Sequence, residues 1–112
     1  MKKVQYQNQP LKLEAVGNGS HLYRWAIAEI TTEEGTVWEC YEVVVWNEPT
    51  RSKVTEAVIK SLWHINAEAK LLNDYNAANE GVLDISFKQL YIDFITERKA
   101  VKTEITTFFE SL

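Results

Sequence analysis

The chain has 112 residues, 46% of them hydrophobic and 25% charged, with a formal net charge of −4. That is enough apolar material for a single domain with a core of its own over residues 1–112, and it excludes a largely disordered chain. The negative balance gives no global field to gather nucleic acid or an anionic membrane, and no apolar run approaches the roughly 18 residues of a membrane span.

Residues 1–10 are polar and weakly patterned and are expected to be loosely ordered. Lys2 and Lys3 have no apolar core or small-residue cleavage site behind them, so this start does not read as a signal peptide. Leu11, Leu13 and Ala15 alternate with Lys12 and Glu14, the pattern of a short half-buried strand. Gly17, Asn18, Gly19 and Ser20 form a turn signal, because glycine and asparagine accept positive φ. A second strand is expected over residues 21–31. The third, over residues 36–47, is the richest stretch in β-branched and aromatic residues and carries apolar side chains on both faces. Val37, Tyr41, Val43 and Val45 lie on one side, and Trp38, Cys40, Val44 and Trp46 on the other. A three-residue loop, Glu33 to Gly35, would set Trp25 opposite Val43 and Tyr23 opposite Val45. The same register sets Glu29 against Glu39, a like-charge pair, so a four-residue loop stays open as the alternative.

After Pro49 the period changes from two to about 3.6. Thr50 or Ser52 can cap a helix to about Trp63 with Val54, Val58 and Leu62 on its apolar side. Asn66 can cap a second helix over residues 67–80, ended by Gly81 in the position after the last turn. Ser86 and Gln89 have capping-box spacing ahead of a third helix over residues 87–112. Its row Phe87, Tyr91, Phe94, Val101, Ile105, Phe108 and Leu112 is interrupted only by Arg98. Such a helix must lie on something, and the sheet is the first candidate. The expected fold is α+β: an N-terminal three-stranded antiparallel β-meander followed by three α-helices, the last one long.

The chain has no phosphate-binding loop, no dinucleotide-binding glycine fingerprint, no HExxH and no nucleophile elbow. Cys40 with His21 or His64 has the residue types of a thiolate or metal site, but a small buried strand residue accounts for Cys40 better. As the only cysteine it excludes an internal disulfide and fits a reducing compartment, so a cytoplasmic location is expected. Asp74, Asp84, Asp93 and Glu97 offer carboxylates for acid–base work, yet they fall mainly on helix faces that should be solvated. Arg98, Lys99 and Lys102 are the only basic cluster, and Glu97 and Glu104 beside them favour a solvated face over a phosphate contact. No catalytic residue, metal or cofactor is assigned.

Trp25, Trp38, Trp46 and Trp63 are many tryptophans for this length. Trp38 and Trp46 share the second face of the third strand, where Arg24, Ala26, Ala28 and Glu42 also fall in the three-residue-loop register. Two tryptophans among small and polar groups on an open sheet face form a candidate partner surface: Trp38, Trp46, Arg24 and Glu42. From Tyr41 to Arg98, the runs YEVVVWNEPTRSKVTEAVIKSLW, EAKLLNDYNAANEGV and YIDFITERKAVK resemble small uncharacterised proteins encoded in prophages and other mobile elements of gut bacteria. The resemblance implies a phage-associated accessory or assembly context and assigns no site residue. The expected function is a non-enzymatic protein-binding or assembly protein, self-associating or docking on a larger protein. The alternative is a small enzyme or ligand-binding domain with a pocket between sheet and helices.

Overall fold

The computed structural model describes residues 2–112. Along the chain it forms β1 (Val4–Tyr6), β2 (Leu13–Ala15), β3 (Ser20–Thr32), β4 (Gly35–Trp46), α1 (Arg51–Leu62), α2 (Ile65–Asn79) and α3 (Ser86–Glu110). No helix is long and apolar enough to cross a membrane among the described residues. The elements gather into two compact units, residues up to Ala57 and residues 58–112, and the division falls inside α1.

The first unit is an antiparallel sheet of four strands in the order β1-β4-β3-β2. The expected three-stranded meander is thus corrected to four strands. The added strand, Val4–Tyr6, lies in the stretch expected to be loosely ordered. Its VQY is too short to show a period. It becomes a strand by pairing with β4, Val4 opposite Cys40 and Tyr6 opposite Trp38.

The hairpin register differs from both loops considered. Thr32 pairs with Gly35, so the loop holds only Glu33 and Glu34. Gly35 supplies the positive φ, 128°, that this tight closure uses. One residue fewer in the loop would by itself turn every side chain beyond it to the wrong face. A bulge between Trp25 and Ala28 adds a second one-residue shift in the same direction, and the two together restore the face. Past the bulge Trp25 faces Tyr41 and Tyr23 faces Val43, two positions from the expected partners but with the same face buried. Glu29 ends opposite Trp38, and the like-charge pair with Glu39 never forms.

Ala26, in the bulge, holds φ at 53°. For a residue with a Cβ that conformation costs roughly 1–2 kcal/mol. Glycine removes the cost but loses roughly 0.5–1 kcal/mol through its freer unfolded chain. Ala26→Gly is therefore expected to raise stability by up to about 1.5 kcal/mol in denaturant melts. A lower stability in the glycine variant would show that the bulge is unstrained.

In the second unit α2 and α3 run antiparallel, with Tyr75 meeting Tyr91 at 5.0 Å between ring centroids and Glu68 meeting Arg98 at 3.2 Å. Val58, Ala78, Phe94 and Ile105 are buried, and Trp63 meets Phe94 edge-on at 5.2 Å. Arg98, expected on a solvated face, instead spans the seam to α2. Thr50 caps α1 as expected, its Oγ1 accepting from the Lys53 N–H. The other two helix starts differ. His64, not Asn66, caps α2, with Nδ1 accepting from the Asn66 N–H. At α3 the Asp84 carboxylate accepts from the Ser86 N–H, which holds that acid below its ordinary range, while Gln89 turns outward to Asp93. Gly81, φ 78°, ends α2 as expected, and the Val82 N–H closes back on the Ala77 carbonyl.

Candidate protein-contact surface

Alternation along β4 puts Trp38, Cys40, Glu42, Val44 and Trp46 on one face, and the register adds Ser20, Leu22 and Arg24 from β3. The opposite face carries the buried Tyr23, Trp25, Val43 and Val45, with Trp25 packed 5.6 Å from Tyr41. Ala28 falls opposite Glu39 on that other face, and Ala26 sits in the bulge, so neither borders Trp38 and Trp46 as expected.

Arg24 is 2% exposed and organises the middle of the candidate face. Its Nε donates to Glu42 at 3.0 Å, Nη1 to the Leu11 carbonyl at 2.9 Å, and Nη2 to Glu14 at 2.8 Å and to the Tyr6 hydroxyl at 3.1 Å. The Tyr6 hydroxyl in turn donates to the same Glu42 oxygen, and the Tyr6 ring lies 4.7 Å from the guanidinium carbon. Topology explains the convergence. β1 and β2 lie on opposite edges of the β3–β4 hairpin, so residues 7–12 must pass from one edge to the other. Arg24 binds a residue of each edge strand, the last part of that connection and the neighbouring strand at once. Burial alone would lower its pKa; the bonds to Glu14, Tyr6 and Glu42 outweigh that and hold it raised. With its donors engaged inside the fold, Arg24 supports the face from beneath.

The exposed part of the face lies toward the end of β4. Trp46 is 58% exposed and Val44 50%, with Leu22 half-buried beside them. Trp38 is half-buried near the other end, on the order of 26 Å away at about 3.3 Å per residue, with Arg24 and Glu42 between. The expected four residues therefore share a face but not a contact spot. Sequence reasoning missed Tyr6 and Glu14. Glu14 was legible as the polar member of an alternating strand; Tyr6, alone in a polar stretch, gave no signal.

Cys40 is fully buried on this face. Burial, and then the nearby Glu42 carboxylate, push its thiol above its ordinary 9.0. Tyr6 is raised from 10.0 by burial and by its bond to Glu42, against the opposing pull of Arg24. Both groups are held neutral by folding. Their stabilising effect is whole below the unfolded values and is lost as pH rises through 9.0 and 10.0 toward the folded ones. Native protein is thus expected to react slowly with a thiol reagent at neutral pH and to lose stability above about pH 9. Rapid native labelling would refute the burial, and a flat stability profile from pH 8 to 11 would refute the linkage.

His21 pairs opposite Val45, on the sheet face away from Cys40, and His64 caps α2 in the second unit. No group of three metal-ligating side chains occurs among the described residues. Asp74 is paired with Lys70, Asp93 with Gln89, and Asp84 with the start of α3, so these carboxylates are spread along helix surfaces. A shallow depression of about 670 Å³ lies at the tip of the β3–β4 hairpin, lined by Gln5, Asn8, Thr32, Glu33, Glu34 and Val37 among others. The chain matches no protein-family model, no curated protein and no solved structure.

Proposed function

We propose that this is a non-enzymatic binding or assembly protein that meets a protein partner through the sheet face ending in Val44 and Trp46, in the phage-associated accessory setting that the resemblance implies. The observation that carries the reading is Trp46, 58% exposed beside a half-exposed Val44 on a face whose centre is already knitted by Arg24. Tryptophan is the side chain most often found as an interface anchor, and a rigid support beneath it lowers the entropy lost on docking. Glu42, bonded to Arg24 and Tyr6, keeps the face charged at its middle and apolar at its end.

Trp46→Ser tests the reading. In light scattering with a docking partner present, the variant is expected to bind at least about tenfold more weakly, the loss typical of an interface anchor. Its folding stability should shift by no more than about 0.5 kcal/mol, as for other surface positions. A Trp46 already shielded from fluorescence quencher in the monomer, together with a folding loss above about 2 kcal/mol in the serine variant, would sink the idea.

A further inference from the structure

Beside the core row on α3 runs a second row, one residue further along. Lys88, Ile92, Ile95, Lys99 and Lys102 repeat the same spacings of four and three, about 100° around the helix from Phe87, Tyr91, Phe94, Arg98 and Val101. Ile92 is 47% exposed and Ile95 45%, and Lys99 and Lys102 are exposed. Among the described residues none of these lysines forms an ion pair. No carboxylate belongs to the row. Lys99 and Lys102 even stand three apart on one face, a repulsion the helix gains nothing from on its own. Two isoleucines half in water between unpaired cations are the matching surface for something apolar flanked by carboxylates.

The chain carries that complement at the end of the β3–β4 hairpin. Ile30 pairs opposite Val37, both half-exposed, and Glu39 lies on the same face two residues along β4. Glu33 and Glu34 form the tip; among the described residues neither has an ion-pair partner, and Glu39 bonds only the Gln5 amide, at 3.1 Å. Residues 25–50 contain no lysine or arginine at all. The order along the hairpin is carboxylate, apolar pair, two carboxylates; along α3 it is lysine, two isoleucines, two lysines. The spans agree, roughly 17 Å for residues 34–39 of a strand and roughly 21 Å for residues 88–102 of a helix.

We propose that the second row of α3 docks on the β3–β4 hairpin end of another copy of this chain. Lys99 and Lys102 meet Glu33 and Glu34, Lys88 meets Glu39, and Ile92 and Ile95 cover Ile30 and Val37. The two surfaces are different, so the contact is head-to-tail and each copy keeps one surface of each kind free for the next. One helix on one hairpin end is a small interface, so the association is weak and depends on salt. This contact uses neither Val44 nor Trp46 and stands apart from the sheet-face reading.

Sedimentation velocity on the full chain tests it. At about 0.03 M salt the mean mass should climb with concentration without a plateau at the dimer, and at about 0.5 M salt it should fall back to the monomer. Lys99→Glu with Lys102→Glu should remain monomeric, as should Glu33→Lys with Glu34→Lys, each with an unchanged circular dichroism spectrum. Mixing the two variants restores opposite charges and should restore association, while Trp46→Ser should associate as the parent does. A monomer at every concentration in low salt would overturn the proposal. So would association that survives either charge reversal, or anionic vesicles capturing the lysine row while the protein stays monomeric. Self-association lost in Trp46→Ser and kept in the charge variants would leave the sheet face standing and remove this contact.

Discussion

Arg24→Met is expected to lower folding stability by about 3–5 kcal/mol, the range for breaking a buried ion pair from one side. The magnitude follows from what the substitution leaves behind. Glu42 and the Tyr6 hydroxyl lose their shared donor, and the Leu11 carbonyl loses Nη1. Each buried polar group left without a partner costs about 1–3 kcal/mol. Glu14, 44% exposed, rehydrates and adds little. Arg24→Lys should recover only part of the loss, because one ammonium cannot present the planar fork that reaches two strands and the connection together. Replacing Arg24 and Glu42 jointly by methionine should cost less than Arg24→Met alone, since no uncompensated carboxylate then remains. Denaturant melts with a loss below about 1 kcal/mol would mean that the network is ornamental to the fold.

The second large effect belongs to α3. Phe94 is 4% exposed, edge-on to Trp63 at 5.2 Å and tilted against Tyr91 at 6.2 Å. Phe94→Ala should cost about 3–5 kcal/mol, the transfer of a phenyl ring plus the cavity it leaves. Aromatic neighbours on both sides cannot collapse into that space without leaving their rotamers, which argues for the upper half of the range. Phe94→Leu, closer in volume, should lose less, about 1–2 kcal/mol. If the alanine variant melts within about 1 kcal/mol of the parent, the row is not the core of its unit.

The helices were legible because a helix is specified by neighbours along the chain. Val54 and Val58, and then Phe94 and Ile105, appear at 3.6-residue spacing and are the residues that the fold buries. Gly81 likewise announced the end of α2 from local sequence. The caps were read less well. Asn66 and Ser86 are good capping types, but His64 caps α2, and the N-cap position of α3 falls on Ile85 with no side-chain cap, because a cap is chosen by the geometry with which the chain enters the helix. Trp38, Glu42 and Trp46 share a face by parity along β4, while Arg24 joins them only through its pairing opposite Glu42.

What could not be read locally depends on pairing between distant residues. Val4–Tyr6 is a strand only because β4 offers it an unpaired edge. The two-residue loop and the bulge at Ala26 are separate departures whose one-residue shifts combine, so aromatic positions return to the expected face by a route no single segment encodes. Arg24 looked like a surface residue because a lone arginine among apolar neighbours carries no sign of its partners. Tyr6, Leu11, Glu14 and Glu42 come from four places in the chain, and only the sheet order β1-β4-β3-β2 brings them around one guanidinium. Periodicity reports which side of a strand or helix is apolar; whether a charge on that side is solvated or clasped is settled by long-range contacts, whose energies no local pattern contains.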